Sequence, residues 1–583
     1  MFKNAVALHE AGQLEQAEDI YRRLLEVMPS NPEILNLLGL VAQAKGAHNE
    51  ACSLFVNAIR NKPNDVRFYY NLAFSCKQDN RMLEALENFK KVCELKPEIK
   101  ETYNEIAKIL QQNGNLEEAR KNWQYALTLD ADYAEAKINL AMSYENENIG
   151  KTIEDLEKLT KEYPNEALVF YYLTCIYMKK NEDAKAWDYA IKAKKLAPTS
   201  DEIKVTLALL SCREKNFANA RIYFAKAELL NPNNIEALLG LANLDSIENN
   251  FSQAEKRYKR VLELQPKNFE AHNNYAEMLQ RSGRTAEALE EYRAAVIINP
   301  SSAEVSNNLG IILRDLKDYE QALELMFNAL AYNPQKEEIS ANIAETLIIF
   351  AQTEKEKAIQ IAENWLRDYP QNSFAKHIKS ALKGEKSESN QIYSEKLFDV
   401  FADNYELVMQ NLDYSVPMAM ARIAGSLQGT IVDLGCGTGF VGQALKNDEN
   451  KIIGVDVSQK MLDIAAAKGV YEQLIKADII DYLHNNNNFD WVVMADVCGY
   501  IGELDSIVKL LKNKKIIFSI EVLDEDMDHR IYPNGRYKHN PLYVEKLLTE
   551  CGFESIYKEE LIIRTENGQP VKGMIIKAIP PLK

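Results

Sequence analysis

The residues with the clearest chemical potential form a glycine-rich segment in the last third of the chain. An apolar run ends at Asp433, glycines then alternate at Gly435, Gly437 and Gly439, and an apolar stretch starts at Phe440. This order predicts a buried strand, a tight turn and the start of a helix. Glycine lets the backbone approach a ligand closely, and the first N–H groups of a helix are unpaired. The segment therefore predicts a loop that binds a nucleotide-type cofactor.

Two classes of cofactor fit the glycines. Residues 437–442 spell G-x-G-x-x-G, and Asp456 follows Gly437 by 19 residues, which suits a dinucleotide loop whose acid holds a ribose hydroxyl. The longer segment 433–439, with an acid before three alternating glycines, instead resembles the first motif of class I S-adenosylmethionine-dependent methyltransferases.

The resemblance to these methyltransferases continues in the same order along the chain. Residues 454–458, with Met461, are similar to the second strand, whose terminal acid binds the adenosine ribose. Residues 477–479 are similar to the end of the third strand, which meets the adenine, and residues 489–497 to the fourth strand and its loop. The resemblance implies S-adenosyl-L-methionine as cofactor, bound by Asp433, Gly435, Cys436, Gly437, Gly439, Asp456, Val457, Met461, Asp478, Ile479 and Asp496.

The charges in these segments suit that cofactor better than a nicotinamide dinucleotide. S-adenosylmethionine brings a sulfonium, an ammonium and a carboxylate, and it has no phosphate that would need Lys or Arg. Acids accordingly stand at the predicted strand ends, and no P-loop lysine is present.

Two flanking segments resemble a group of small bacterial methyltransferases. Residues 401–405, with Tyr414 behind them, are similar to the helical lid of that group, which implies that Tyr405 and Tyr414 close over the cofactor. Residues 534–539 are similar to the stretch after its fifth strand. In this stretch His539 is the candidate general base, because histidine titrates near neutrality. Arg536 and Tyr537 are the candidates for placing the substrate.

Alternating strands and helices position these segments. Apolar runs predict strands at 429–434, 451–456, 472–477, 489–495, 514–522, 554–564 and 571–579. Amphipathic stretches predict helices at 398–410, 416–427, 440–447, 458–468, 501–511 and 540–551. Alternation of this kind predicts a parallel sheet with helices on both faces, a Rossmann-like α/β domain. The resemblance implies that its last strand is antiparallel.

A different pattern fills the first two thirds of the chain. Prolines recur, mostly 34 residues apart, at positions 29, 63, 97, 164, 198, 232, 266, 300, 334 and 370. This period is typical of tetratricopeptide repeats, which are helix–turn–helix units. The sequence therefore predicts an all-α tetratricopeptide solenoid of about eleven repeats over residues 1–382, a polar linker at 383–395 and the class I methyltransferase domain at 396–583.

The inner helices of the array carry a recurrent asparagine. It occupies one repeat position in Asn71, Asn139, Asn274, Asn308 and Asn342, which resembles the asparagine ladder of protein O-linked N-acetylglucosamine transferases. An amide can donate and accept a hydrogen bond with a peptide backbone, so we expect a protein or peptide on the concave face. A generally polar inner face is the open alternative.

Composition narrows the partners and the compartment. A net charge of −17 disfavours nucleic acid and anionic membranes as partners. The eight cysteines include no C-x-x-C pair, and the seven histidines have no metal-ligand spacing. Residues 1–12 lack the apolar core expected of a secretory signal, and no apolar run approaches 18 residues. We therefore expect no resident metal, no membrane span and a cytoplasmic location; the oligomeric state stays open.

Three functions remain open from the sequence. The favoured one is methylation of a protein that the repeats recruit. The second is methylation of a small molecule, an acid or another metabolite, with the repeats used for assembly. The third is a scaffold that only senses the cofactor. The loop at 496–500 lacks the Asn-Pro-Pro-Tyr or Asp-Pro-Pro-Tyr arrangement that resembles enzymes methylating amide or base nitrogens. Its absence disfavours DNA-base and glutamine methylation.

Overall fold

Paired helices make up the first two thirds of the chain in the computed structural model, which describes residues 1–386, 390–566 and 568–581. The chain divides into two compact units, Met1–Leu264 and Gln265–Lys583. The division falls inside the repeat region. The second unit therefore contains the last helix pairs together with the mixed α/β part of the chain.

The first unit is built from helices that pack on their neighbours in sequence. They are α1 (Phe2–Glu10), α2 (Leu14–Val27), α3 (Pro32–Ala44), α4 (His48–Asn61), α5 (Val66–Gln78), α6 (Met82–Leu95), α7 (Lys100–Gln112), α8 (Leu116–Leu129), α9 (Ala134–Met142), α10 (Ile149–Glu162), α11 (Ala167–Lys179), α12 (Asp183–Leu196), α13 (Asp201–Arg213), α14 (Phe217–Leu230), α15 (Ile235–Ile247) and α16 (Phe251–Leu264).

Small residues and aromatic rings explain how these helices pair. A Cβ added at Gly39 would lie 2.6 Å from the ring of Phe55, and one at Gly240 would lie 2.3 Å from the ring of Phe224. The glycines therefore make room for the rings, both of which are fully buried. Dense packing of this kind is what the periodic small and aromatic residues predict.

The second unit continues the helix pairs and then changes to a sheet. Its helices are α17 (Phe269–Arg281), α18 (Thr285–Ile298), α19 (Ala303–Asp315), α20 (Tyr319–Tyr332), α21 (Glu337–Phe350), α22 (Lys355–Asp368), α23 (Ser373–Lys383), α24 (Asn390–Phe401), α25 (Tyr405–Asn411), α26 (Val416–Ala424), α27 (Phe440–Leu445), α28 (Gln459–Ala467), α29 (Ile479–Asn485), α30 (Asp505–Leu510) and α31 (Pro541–Glu550). Its strands are β1 (Gly429–Leu434), β2 (Asn450–Asp456), β3 (Gln473–Lys476), β4 (Trp491–Met494), β5 (Lys515–Glu521), β6 (His529–Ile531), β7 (Tyr537–His539), β8 (Ser555–Glu566) and β9 (Gln569–Ile579).

The main sheet has the strand order β3-β2-β1-β4-β5-β9-β8. The first five strands in this order are parallel, and β9 pairs antiparallel with both β5 and β8. Strands β6 and β7 form a separate hairpin. An all-α repeat array followed by an α/β domain is the predicted fold class, which the structure confirms. The parallel strands end at one edge, and the glycine-rich segment follows β1 at that edge.

Two local predictions differ from the structure. The predicted helix at 398–410 is interrupted by a 3-10 turn, Ala402–Asn404. The predicted linker at 383–395 is helical from residue 390 onwards, while residues 387–389 lie outside the described part of the chain. The physical reason for the helix is burial, because Tyr393 packs into the core of the last repeats. Among the described residues, no helix is long and apolar enough to cross a membrane.

Candidate active site

A cavity of about 430 Å³ lies where the parallel strands end. Its volume is in the range typical of small-ligand sites. Nine of the thirteen residues predicted to bind the cofactor line it: Tyr405, Gly435, Gly437, Asp456, Val457, Met461, Asp478, Ile479 and Asp496. The structure therefore brings together residues that follow the ends of β1, β2, β3 and β4.

The glycine loop owes its shape to left-handed backbone angles. Gly435, Gly437 and Gly439 have φ of +68°, +52° and +93°, which side chains disfavour. A Cβ at Gly435 would lie 2.5 Å from the side chain of Val497, whereas a Cβ at Gly437 would meet no atom within 4 Å. Gly437 therefore exposes backbone to open space beside the cavity, and Gly435 allows β1 to approach the loop after β4.

Asp456 fastens this loop to the end of β2. Its carboxylate accepts hydrogen bonds from the backbone N–H groups of Gly437 (2.8 Å) and Ser458 (2.9 Å). Burial raises the pKa of Asp456, and these backbone donors oppose the rise. A carboxylate with 7% exposure at a cavity wall can accept hydroxyl hydrogen bonds from a ligand.

Asp478 occupies the equivalent place after β3. It caps α29 by accepting hydrogen bonds from the backbone N–H groups of Ile480 (2.8 Å) and Asp481 (3.2 Å). Ile479 and Ile480 line the cavity beside it. The acid thus also has a structural role, and the neighbouring apolar side chains offer a surface for a flat ring.

Four of the residues predicted to bind the cofactor are not part of the cavity lining: Asp433, Cys436, Gly439 and Tyr414. Asp433 is 1% exposed, and its Oδ2 accepts a hydrogen bond of 2.8 Å from the hydroxyl of Tyr471. Burial raises the pKa of Asp433 to about 7. Asp433 is therefore a buried support of the strand end before the loop, and it does not face the cavity.

A cluster of buried charges lies at the β4 side of the cavity. The guanidinium of Arg536 donates hydrogen bonds of 2.6 Å to Asp496, Glu521 and the hydroxyl of Tyr500. Arg564 donates to Glu521 at 2.6 Å and to Asp496 at 3.3 Å. The two arginines hold the pKa of Glu521 at about 2.

Asp496 links this charge cluster to the cavity. It lines the cavity together with Tyr500, and its φ of +60° is unusual for a residue other than glycine. Strained backbone of this kind is found at functional sites more often than elsewhere. Arg536, predicted to place the substrate, therefore acts on the cavity through Asp496 and Tyr500 and does not line it.

The structure does not support His539 as a general base. Its side chain is fully buried, and Nε2 donates a hydrogen bond of 3.0 Å to the carbonyl of Gly502. Burial lowers the pKa of His539 to about 4. Tyr537 is also buried and packs on Ala381 and Ile531. Neither residue lines the cavity, so both belong to the support of the β6–β7 hairpin.

Helix α24 supplies cavity residues that the sequence interpretation missed. Gln391, Ser394 and Phe398 line the cavity. The ring centroid of Phe398 lies 5.1 Å from that of Tyr500 and 6.3 Å from that of Tyr405. Aromatic faces attract cations, so this group suits a ligand with a sulfonium. The spacing of residues 391, 394 and 398 along one helix face was the available signal.

The asparagines of the repeats partly pair with one another. The side-chain amides of Asn71, Asn139 and Asn342 each donate to an asparagine of the preceding repeat, at 2.8 to 3.0 Å. Asn139 also accepts a hydrogen bond of 2.8 Å from Tyr172 and is 4% exposed. It is therefore unsuited to hold a partner. Asn274, Asn308 and Asn342 are half-buried and keep part of their surface accessible.

Comparison with known proteins supports the two parts separately. A family model described as "Methyltransferase domain" matches residues 431–514, and models described as "Tetratricopeptide repeat" match residues 2–66, 66–99, 239–303 and 280–337. The chain therefore carries tetratricopeptide repeats followed by a methyltransferase domain, as predicted.

One curated relative is YqeM of Bacillus subtilis (strain 168), a candidate methyltransferase. It is 25% identical over 121 residues, which are 20% of this chain and 49% of that protein. The chain thus spans about half the length of this relative.

The chain is also similar to solved structures, at low sequence identity. Yeast Tom70 has 16% identity and a TM-score of 0.30 over 66% of this chain and 94% of its own. The Cut9–Hcn1 hetero-tetramer of APC/C has 12% identity and a TM-score of 0.32 over 65% and 95%.

Proposed function

We propose that the protein transfers the methyl group of S-adenosylmethionine to an acceptor held at the β4 side of the cavity. The observation that carries this proposal is the grouping of Gly437, Asp456 and Asp478 around one cavity of about 430 Å³. Within the described part of the chain, no Lys or Arg side chain lines that cavity, which suits a cofactor without phosphates. When bound, the cofactor supplies an electrophilic methyl group.

The residues of the chain then have separate tasks. Asp456 would hold the ribose hydroxyls, and Asp478 with Ile479 would hold the adenine. The aromatic group of Phe398, Tyr405 and Tyr500 would cover the cationic centre and exclude water. Methyl transfer depends chiefly on alignment of the acceptor with the methyl group. A wall of packed side chains that fixes this alignment would therefore supply much of the rate acceleration.

The charge cluster favours an acceptor that is not a carboxylate. Arg536 and Arg564 carry two positive charges, whereas Asp496, Glu521 and Glu566 around them carry three negative charges. A carboxylate acceptor would have to displace one of these internal partners. A neutral nitrogen, an ammonium group that first gives its proton to Asp496, or a neutral oxygen would meet no such competition. Asp496 is the acid of this cluster that lines the cavity, and it replaces His539 as the candidate proton acceptor.

A protein is the acceptor that the repeats favour. Tetratricopeptide arrays generally hold other proteins, and the half-buried asparagines 274, 308 and 342 lie in the same compact unit as the cavity. A small-molecule acceptor is the second candidate. It is favoured by the aromatic wall, which narrows the space near Tyr405 and Tyr500.

A transfer experiment with labelled methyl groups separates these candidates. The full chain, a chain of residues 265–583 and Asp456→Ala are each incubated with methyl-labelled cofactor and cell lysate. The truncation follows the boundary of the second unit, so that the packing of α24 on the last repeats is retained. Label in a discrete protein supports a protein acceptor. The shorter chain keeps Asn274, Asn308 and Asn342, so loss of that label without residues 1–264 would assign part of the recruitment to the first unit.

Three other outcomes of the labelling experiment would favour different functions or contradict the proposed site. Label in the small-molecule fraction, equal for both lengths of chain, supports a metabolite enzyme. Label that persists in Asp456→Ala contradicts the proposed cofactor site. No label with any chain, combined with measurable binding of S-adenosylmethionine, favours a protein that senses the cofactor only.

A further inference from the structure

Helix α24 packs on the last repeats with one face and lines the cavity with another. Tyr393, Leu397 and Val400 pack into the hydrophobic core of the last repeats, whose members include Phe374 and Ile378 of α23. On another face, residues 391, 394 and 398 line the cavity. Because residues three or four apart share a helix face, one short helix both ends the repeat core and forms a wall of the cofactor cavity.

Polar contacts hold α24 to both neighbours. On the repeat side Lys396 pairs with Glu337 of α21. On the sheet side Glu395 accepts a hydrogen bond of 2.8 Å from Lys476, and Asp399 accepts one from the hydroxyl of Ser458. Ser458 also caps α28 beside Asp456. A displacement of α24 would therefore alter the surroundings of the ribose-binding acid.

His377 of the last repeat contacts one residue behind each of two walls of the cavity. Its imidazole is 1% exposed and stacks on Tyr393 of α24, with ring centroids 3.8 Å apart and an interplanar angle of 14°. Its Nε2 donates a hydrogen bond of 2.8 Å to the carbonyl of Gly535. Gly535 immediately precedes Arg536, which binds Asp496, Glu521 and Tyr500.

We propose that His377 is a positioning residue through which the last repeat sets the spacing between the two walls of the cavity. Through Tyr393 it holds the α24 wall against the cofactor, and through Gly535 it holds Arg536 against Asp496 on the acceptor side. The repeats are then a structural part of the active site as well as an arm that recruits partners. This inference rests on the proposed function, because it assigns S-adenosylmethionine to the cavity.

Two substitutions in the full chain separate the two contacts. His377→Phe keeps an aromatic ring for Tyr393 but loses the donor to Gly535, whereas His377→Gln keeps a donor but loses the ring. His272→Gln is the matched control, because His272 is a repeat histidine of the same unit that also contacts a backbone carbonyl, that of Pro266. Titration calorimetry gives the affinity for S-adenosylmethionine, and amide hydrogen exchange reports on residues 531–537.

The expected results differ between the two variants. His377→Gln should weaken S-adenosylmethionine binding about 3- to 10-fold, the usual range for losing one modest contact, with little change in exchange at 531–537. His377→Phe should bind the cofactor within about twofold of the wild type but exchange faster at 531–537. His272→Gln should change neither quantity. If His377 had a purely structural role, both His377 variants would change the cofactor affinity, the exchange at 531–537 and the melting temperature together.

An experiment on the wild-type chain supplies the complementary test. Addition of S-adenosylmethionine should slow amide exchange in α23, residues 373–383, although these residues do not line the cavity. Unchanged exchange in α23, or equal effects of both His377 variants on both readouts, would overturn the inference. Failure of the wild type to bind S-adenosylmethionine would instead overturn the proposed function, so the two failures are distinguishable.

Discussion

The carboxylate of Asp456, at the end of β2, accepts a hydrogen bond of 2.8 Å from the backbone N–H of Gly437 in the loop after β1. This contact joins two neighbouring strand ends at the cavity wall. It also orients the Asp456 carboxylate next to Val457 and Met461, which line the same wall. One side chain thus shapes the glycine loop and presents an acceptor to the ligand.

Replacing Asp456 should therefore abolish most cofactor binding. We expect Asp456→Ala to weaken the affinity for S-adenosylmethionine by at least about 10-fold, because a hydrogen bond to a charged group contributes roughly 1.5–3 kcal/mol. Calorimetry measures the affinity, and Asp463→Ala, at an exposed acid of α28, is the control. Equal affinities of the two variants would contradict the assignment of Asp456.

The buried acid Asp433 gives a prediction on stability. Burial raises the pKa of its carboxyl to about 7 in the folded chain, whereas in the unfolded chain it ionises near pH 4. Between these values the folded chain binds more protons. The contribution of Asp433 to stability is therefore complete below about pH 4, falls as the pH rises to about 7, and is constant above that.

The variant Asp433→Asn should remove this penalty. Its amide oxygen can still accept the hydrogen bond from Tyr471, so we expect Asp433→Asn to exceed the wild type in free energy of unfolding at pH 8 by roughly 2–4 kcal/mol and to match it near pH 4. Urea unfolding of the chain without cofactor at several pH values measures this difference. A constant difference across the pH range would contradict the buried, neutral acid.

His539 gives a pH dependence of the opposite sign. Burial lowers its pKa to about 4, whereas in the unfolded chain it protonates near pH 6.5. The contribution of the neutral imidazole to stability is complete above about pH 6.5 and is lost as the pH falls towards 4. His539→Gln should lack this loss, and its methyl-transfer rate between pH 6 and 9 should follow the pH profile of the wild type. A profile that loses its pH dependence would restore His539 as the base.

The acceptor chemistry can be tested on the labelled product. Because the arginines of the charge cluster are already paired with Asp496, Glu521 and Glu566, we expect the methyl group on nitrogen or on a neutral oxygen. Such label survives mild alkali, whereas a carboxyl methyl ester releases volatile methanol. A synthetic peptide methyl ester serves as the positive control. Release of most of the label as methanol would contradict the proposed acceptor class.

Local motifs explain which parts of the site could be predicted from the sequence. The glycine loop and the acids at 456 and 478 are contiguous with their strands, so the strand pattern is sufficient to bring them together. The role of α24 is different, because Ser394 is a polar residue that looks solvated in the sequence and becomes buried only in the folded chain. The burial of His539 has the same origin, because the carbonyl of Gly502, which accepts its hydrogen bond, lies 37 residues away along the chain. Its role as a base stays a prediction that the pH profile tests.

The asparagines of the repeats provide a last prediction, with a control inside the array. Asn274, Asn308 and Asn342 retain accessible surface, whereas Asn139 occupies the same repeat position but is buried between Asn104 and Tyr172. If the array holds its partner by amide contacts to a peptide backbone, the triple variant Asn274→Ala, Asn308→Ala, Asn342→Ala should lower protein labelling about 10-fold or more, since several hydrogen bonds of about 1 kcal/mol each are lost. Its affinity for S-adenosylmethionine should stay within about twofold.

The control variant Asn139→Ala should lower the melting temperature without changing the labelling. If both variants label protein equally, the accessible asparagines form a polar surface only, and the partner contacts must lie elsewhere on the repeats.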